Sequence, residues 1–580
     1  MRVAARIFAS VAGLSVLAAM NAPAAVTFTG LPESLEKNAR ALMPLASVPC
    51  DAARFRVERL FRDSDARLRD ALEALGYYRF ESRKELSFDD SGCWSAAFRV
   101  ELGEPVRLRN VSVTISGEAR DDGWVSQQGW LYRPTSGSVL NHGEYERYKK
   151  FLVAALESRG YFEAALTSSA VTVDETLQHA DIGLEIASGP RYRFGAIEYN
   201  GNVLRPELLA RYARFRAGDP YDAGAVSLLH ESLSGSGYFG SVSIRADPAD
   251  DGSHEVPVFI RLEPGLRQVY TIGAGFATDI GVQGRLGYAN RRLNDKGHQF
   301  DSRLFLSSVD SQLSGTYRWP RGNPEDEWID LFGGYQHKTT DTSRSDKVTL
   351  GVRVSRNRTP KWLETHYLHF TGEDFRVGDQ LDKSRLVIPG INWESTIGRE
   401  IVRIRSGRRI SLDVRGSLDA IGSDTTFLQL TGSTKWAIPV GESARLLARA
   451  NLGFTAKKDF DELPASVRYF AGGDNSVRGY GFETLGPTDE EGNVIGGSYL
   501  ATFSIEIDRL VSKKWSIAAF VDTGNAFDDF GHDFADDFRT GVGLGLRWYS
   551  PLGPIRIDVA HPLDDPTRDY RLHITLGPDL

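Results

Sequence analysis

Ile555-Arg556-Ile557-Asp558-Val559 sets apolar residues at every second position against charged ones, and Tyr570-Arg571-Leu572-His573-Ile574-Thr575-Leu576 repeats the pattern. A period of two belongs to a strand, whose successive side chains point to opposite faces. The same alternation sets Ile410, Leu412 and Val414 against Arg409, Ser411, Asp413 and Arg415. It also sets Leu446, Ala448, Ala450 and Leu452 against Arg445, Arg449 and Asn451. Sixteen such segments begin near residues 268, 282, 298, 310, 326, 343, 360, 383, 406, 425, 444, 496, 513, 537, 553 and 569. An even number of antiparallel strands closes a barrel and leaves no edge. In an exported chain, alternating segments of this length put lipid outside and water inside. The stretch 458–495, between the eleventh and twelfth strands, is far longer than a hairpin turn and should have a task of its own.

Export is read from the start of the chain. Arg2 and Arg6 form a basic region, Ile7 to Met20 a short apolar one, and Ala22-Pro23-Ala24 a small-residue cleavage site, so residues 1–24 read as a leader peptide. The alternative is a transmembrane anchor; the shortness of the apolar run and the cleavage site directly after it favour the leader. No internal run reaches the roughly 18 apolar residues that a spanning helix needs. The formal charge of −8, from 69 basic and 77 acidic residues, gives no footing for a nucleic-acid partner. Cys50 and Cys93 are the only cysteines. In an oxidising compartment they are expected to pair, stabilising by roughly 4 kcal/mol; two free thiols are the alternative.

Before residue 266 the chain repeats. Leu75-Gly76-Tyr77-Tyr78, Arg159-Gly160-Tyr161-Phe162 and Ser236-Gly237-Tyr238-Phe239 each follow a helical stretch, with glycines 84 and 77 residues apart. Glycine suits the left-handed position after a helix. Val26 to Gly30, Val111 to Gly117 and Ala196 to Asn202 open the three units, and Gly103-Glu104-Pro105, Gly189-Pro190 and Pro264-Gly265 close them. Each unit reads strand, helix, helix, strand, strand, over residues 25–105, 106–190 and 191–265. In the first, Phe55, Val57, Leu60, Phe61, Leu68, Leu72 and Leu75 form the apolar face of a helix.

The long stretch contains Arg468-Tyr469-Phe470-Ala471-Gly472-Gly473-Asp474-Asn475-Ser476-Val477-Arg478-Gly479-Tyr480. Here the sequence resembles the outer-membrane insertase and translocator superfamily, in which POTRA domains precede a sixteen-stranded barrel and Val-Arg-Gly-Tyr marks the sixth extracellular loop. The three repeats look like three POTRA domains. Phe520-Val521-Asp522-Thr523-Gly524 is similar to the family's motif on the thirteenth strand, and Gly541 through Pro554, followed by Asp558, to its C-terminal hairpins. The fold so implied is α+β periplasmic POTRA repeats followed by a 16-stranded antiparallel transmembrane β-barrel over 266–580, in the outer membrane. Three POTRA domains look most like the TamA type, the outer-membrane subunit of the translocation and assembly module. BamA-type members carry five and two-partner secretion transporters two. The chain departs from the usual terminal aromatic residue, ending in Leu580.

The resemblance implies that the loop enters the barrel and that Arg478 meets Asp522. A solvated loop arginine is the alternative. Alternation leaves open whether Phe520 also faces inward or a bulge intervenes, and whether Tyr480 packs on the wall or is an interfacial ring. No nucleophile elbow, zinc-binding helix motif or phosphate loop is present. No enzyme activity, metal or cofactor is therefore expected. His230-Glu231 and His573 read as surface or lumen residues, and Asp489-Glu490-Glu491 as a solvated loop tip or an outer-leaflet cation binder.

The implied work is assembly or translocation of β-rich clients such as autotransporters. The implied partners are unfolded outer-membrane clients, outer-membrane lipid and an inner-membrane-anchored periplasmic protein of the TamB type. POTRA edges would capture client strands, and the barrel seam would open. Gly273, Gly275 and Gly577-Pro578 should weaken pairing there, unless they are ordinary strand glycines beside a bulge. Export through the lumen, and lipid exchange with a periplasm-spanning partner, are the competing readings.

Overall fold

The computed structural model describes residues 25–576 apart from 91, 129–130, 175, 202, 360, 399–402, 530–535, 551–552 and 565–568. The leader reading (1–24) and Gly577-Pro578 fall outside the described residues.

The first repeat consists of β1 (Ala25–Thr29), α1 (Glu33–Leu42), α2 (Arg54–Glu73), β2 (Phe80–Phe88) and β3 (Trp94–Leu102), with strand order β1-β3-β2. Its core packs Val57, Leu68, Ala71 and Leu72 of α2 against Trp94, Ala96, Phe98 and Val100, the inward alternates of β3. Phe55 is not on that face and is 74 % exposed. It precedes Val57 by two residues, about 200° around a helix of 3.6 residues per turn. Cys50 and Cys93 are bonded, with Cα atoms 4.8 Å apart, tying the segment before α2 to the start of β3.

The second repeat has β4 (Arg107–Ser116), α3 (Gly123–Gln128), α4 (His142–Ser158), β5 (Ala165–Val173) and β6 (His179–Ala187), in the order β4-β6-β5. The third has β7 (Arg193–Asn200), α5 (Pro206–Leu209), α6 (Ala223–Gly235), β8 (Phe239–Ala246) and β9 (Glu255–Pro264), in the order β7-β9-β8. Gly76 and Gly160 are left-handed at φ +88° and +93°. The next residue's N–H returns to the carbonyl of Leu72 or Leu156, closing the helix. The same glycines take part in the joints: Val106 N–H donates to Gly76 O and Tyr192 N–H to Gly160 O, both at 2.8 Å.

Sixteen strands then close into an antiparallel barrel. They are β10 (Gln268–Ala277), β11 (Gly281–Asn290), β12 (Gln299–Ser307), β13 (Asp310–Pro320), β14 (Glu327–Thr339), β15 (Ser343–Thr359), β16 (Trp362–Val377) and β17 (Gln380–Ile397), followed by β18 (Gly407–Ser417), β19 (Phe427–Val440), β20 (Ala444–Lys457), β21 (Tyr499–Ser512), β22 (Trp515–Phe527), β23 (Arg539–Ser550), β24 (Gly553–Pro562) and β25 (Arg571–Leu576). Its sidedness is the reverse of a soluble protein's. Ile505, Ile507, Ile517, Val521 and Leu544 are exposed on the outside, while Asp508, Asp522, Arg445 and Arg547 are buried within. Apolar outward alternates and charged inward ones are the arrangement of a lipid-embedded barrel.

Candidate functional site

The segment joining β20 to β21 folds back into the lumen, held by polar contacts along its length. Arg468, buried, donates to Leu463 O (2.8 Å) and to Gln380 Oε1 (2.7 Å). Tyr469 and Thr431 share a hydroxyl hydrogen bond of 2.7 Å. Ala471, Val477, Tyr480 and Leu485 form a small apolar core of the loop's own. Tyr480 is buried, and its hydroxyl donates to Asp564 at 3.3 Å, so it packs inside.

At the centre is Arg478. Its Nε and Nη2 donate to the two oxygens of Asp522, at 2.6 and 3.0 Å, and its backbone N–H reaches the same carboxylate at 3.1 Å. This is the fork-on-fork geometry that makes arginine the residue for planar carboxylate recognition. Nη1 donates to Glu506 on β21 and Asp558 on β24, both at 2.9 Å. Arg547 on β23 bonds the far oxygens of the same two residues, Glu506 at 2.8 Å and Asp558. Three carboxylates thus enclose two guanidiniums, and all five side chains are at most 8 % exposed. The Arg478 guanidinium also stacks on Phe520, 3.3 Å from the ring centroid. Phe520 and Asp522 are both buried alternates of β22, so the ring faces inward without a bulge. Gly524, two residues on, packs against the backbone of Ala501 and Thr502.

Three inward-facing glycines of β23 make room for this cage. A Cβ at Gly541 would overlap the carbonyl oxygen of Arg478. One at Gly543 would overlap the Phe520 ring, and one at Gly545 the paired Asp558 and Arg547. Glu506 and Arg547, and the steric role of these glycines, escaped the sequence reading. The signal present was the period-two spacing of Gly541, Gly543 and Gly545 in a strand, where glycine marks close approach.

Val477, fully buried, precedes Arg478, and Gly479 follows it at φ +100°. The Gly479 N–H donates to Nε2 of His573 at 3.0 Å, so the motif grips the last strand as well as the wall. His573 is therefore a lumen residue, 1 % exposed, rather than a surface one. His230 is exposed, its Nε2 3.1 Å from Val242 O. Asp489 accepts hydrogen bonds from Asn493 at an exposed loop tip.

The described contact between the first and last strands is short. β10 pairs with β11 at ten positions from Gln268 to Ala277, but with β25, among the described residues, only at Ala277↔Thr575. Thr278 adds bonds to Ile574: its N–H donates to Ile574 O at 3.0 Å, its hydroxyl accepts the Ile574 N–H at 2.6 Å and donates to Ile574 O at 3.4 Å. The outward side chains of β10 are bare, with Ile272 82 % exposed. Gly273 and Gly275 lie in this stretch.

Three sequence-family descriptions match: an Omp85 superfamily domain over residues 270–579, TamA POTRA domain 1 over 25–102, and a POTRA domain described as a surface antigen variable number repeat over 192–265. The chain is 23 % identical over 395 residues to the outer membrane protein assembly factor BamA of Nitratidesulfovibrio vulgaris, covering 64 % of this chain and 48 % of that one. It is 23 % identical over 490 residues to BamA of Neisseria meningitidis, covering 72 % and 60 %. It is 25 % identical over 393 residues to outer envelope protein 80 of Arabidopsis thaliana chloroplasts, covering 61 % and 52 %. The chain thus spans from about half to three fifths of the length of these relatives. In structure it is similar to Haemophilus ducreyi BamA lacking POTRA domains 1–3, with a TM-score of 0.65 at 17 % identity, covering 81 % of this chain and 99 % of that one.

Proposed function

This chain belongs to the Omp85 superfamily, an outer-membrane barrel with N-terminal POTRA domains in the periplasm, and from that premise we propose that it assembles or translocates β-rich clients, autotransporters among them, as a TamA-type subunit. The observation that carries this reading is the seam. Among the described residues β10 pairs with β25 at Ala277↔Thr575, against ten positions with β11. Backbone groups left unpartnered at such a seam would be costly in lipid, and an incoming client strand would remove that cost by pairing with them. This is strand addition at a sheet edge, and it requires no covalent chemistry. The match of residues 25–102 to the first TamA POTRA domain supports the finer assignment. It also supports a partner of the TamB type, anchored in the inner membrane. A lumen occupied by the Arg478 loop argues against export through the pore.

Photo-crosslinkers at Thr271 and Ile272, activated in cells, test this reading. Adducts with unfolded outer-membrane or autotransporter β-proteins are expected. Adducts with lipid alone would replace it with lipid exchange. Deleting residues 25–105 should abolish co-purification of a TamB-type partner; unchanged co-purification would remove the first POTRA domain as the docking site.

A further inference from the structure

At the loop end of the seam, three residues from three separate segments meet: Asp279 in the β10–β11 turn, Asp474 in the lumen loop and His573 on β25. One oxygen of each carboxylate is accounted for. Asp279 Oδ2 accepts the Asp474 N–H at 2.5 Å. Asp474 Oδ1 accepts from His573 Nδ1 at 2.6 Å. His573 Nε2 accepts the Gly479 N–H at 3.0 Å, so the ring is neutral, its proton is on Nδ1, and neither nitrogen has a lone pair to spare. The other two oxygens, Asp279 Oδ1 and Asp474 Oδ2, are buried with no hydrogen-bond partner. Asp474 is only 8 % exposed. A buried carboxylate oxygen without a partner is costly, and here two occur on neighbouring carboxylates.

We propose that a divalent cation, calcium or magnesium, binds between Asp279 and Asp474 and ties the first barrel strand to the lumen loop. The ligand atoms offered by Asp279, Asp474 and His573 lie within 4.8 Å of one another. At that spacing the two carboxylates come within reach of a single calcium ion with oxygen ligands at about 2.3–2.6 Å. The donor set selects the metal. Both nitrogens of His573 are engaged, so the site offers carboxylate oxygens and favours a hard cation over zinc or copper. His573 acts from behind, orienting the Asp474 carboxylate through Nδ1–H, as outer partners of a metal ligand do. Gly473, at φ +100°, lets the loop backbone lie against Asp279; a Cβ there would run into the Asp279 carboxylate. The cation would sit beside Ala277↔Thr575, the paired position of the seam among the described residues, so divalent ions outside the cell would hold that end shut.

The test uses the full chain in detergent, freed of lipopolysaccharide and stripped with chelator, then titrated calorimetrically with calcium chloride and magnesium chloride. One saturable site per chain is expected, together with a rise in the temperature at which the barrel unfolds. Asp279→Asn should weaken binding at least tenfold, and so should Asp474→Asn, a second variant placed on the loop. Asp489→Asn, at the solvated tip, should leave it unchanged. Heat-dependent gel migration reports that each variant folds. No saturable binding by the wild type up to about 10 mM, beyond the weak range of extracellular calcium sites, would overturn the proposal. So would binding that Asp279→Asn leaves intact. Stabilisation of the wild type by acid but not by cation would assign a proton shared by the two carboxylates and overturn it too. None of these outcomes depends on a client, so the cation site and the assembly reading stand or fall separately.

Discussion

Arg478→Ala removes one of the two guanidiniums from a cage of three carboxylates. Asp522 loses every side-chain partner it has in the cage, whereas Glu506 and Asp558 keep Arg547. Because Asp522 is 0 % exposed and Arg478 only 6 %, the loss falls in the range for breaking a buried pair, about 3–5 kcal/mol. At about 1.4 kcal/mol per tenfold, the undocked loop becomes roughly a hundredfold to a few thousandfold more populated. When cleavage is slow against reclosing, proteolysis follows that population. The assay is therefore limited proteolysis of residues 458–495 in the inserted barrel, with client assembly measured alongside. Asp522→Ala alone should open the loop to a similar degree. Added to Arg478→Ala it should cost little more, since the carboxylate it removes is by then unpaired. Additivity within about 0.5 kcal/mol, the behaviour of independent sites, would refute the reasoning.

Gly541→Val sets a side chain where the Arg478 carbonyl lies; overpacking of about 1–3 kcal/mol or more should raise loop cleavage while the barrel still inserts, and wild-type protease resistance would reject the steric role. Native, unreduced protein should label no thiols with an alkylating reagent, and reduction should expose two, Cys50 and Cys93; labelling without reductant would contradict the bond. Burial pushes the Asp122 carboxyl up, but Arg159, the Trp124 N–H and Arg191 outweigh it and hold the group below its ordinary 3.8. The stability it contributes is therefore present above that pH and lost as pH falls through the lower folded value. Asp122→Asn should flatten the acid limb of unfolding for residues 107–187, followed by hydrogen exchange, and an unchanged limb would reject the assignment.

The barrel was legible because a lipid-facing strand has to alternate, and all sixteen start points fall within three residues of those read from the period. The three repeats were legible because their helices end on glycine. Phe55 misled because apolar identity was taken for facing: near a helix start, a residue two positions from the core row points away. The cage was only half legible. Arg478 and Asp522 sit in motifs, but Glu506 is one charged alternate among many on β21, and nothing local says which inward carboxylate an arginine 28 residues earlier will meet. The pairing across the seam, between Asp279 and Asp474, joins residues 195 apart, and no period or spacing encodes it.

The ties around the loop are unequal, and the inequality says which part should move if the seam opens. Arg478 fixes the loop to β21, β22 and β24 through charge-assisted bonds in a buried site. Gly479 and Asp474 fix it to β25 through the two nitrogens of His573, and β25 pairs with β24 at six positions. On the other side, β10 holds β11 along its whole length but, among the described residues, meets the last strand and the loop through Ala277, Thr278 and Asp279. Among the described contacts, separation at the seam therefore breaks one strand pair, the Thr278 bonds and the carboxylate contact. Separation anywhere within the loop-bound group would break a buried ion network. The C-terminal strands and the loop should stay together as a fixed post, with β10 swinging from it on β11. That motion leaves an edge on each side of the seam, β10 on the moving side and β25 on the post.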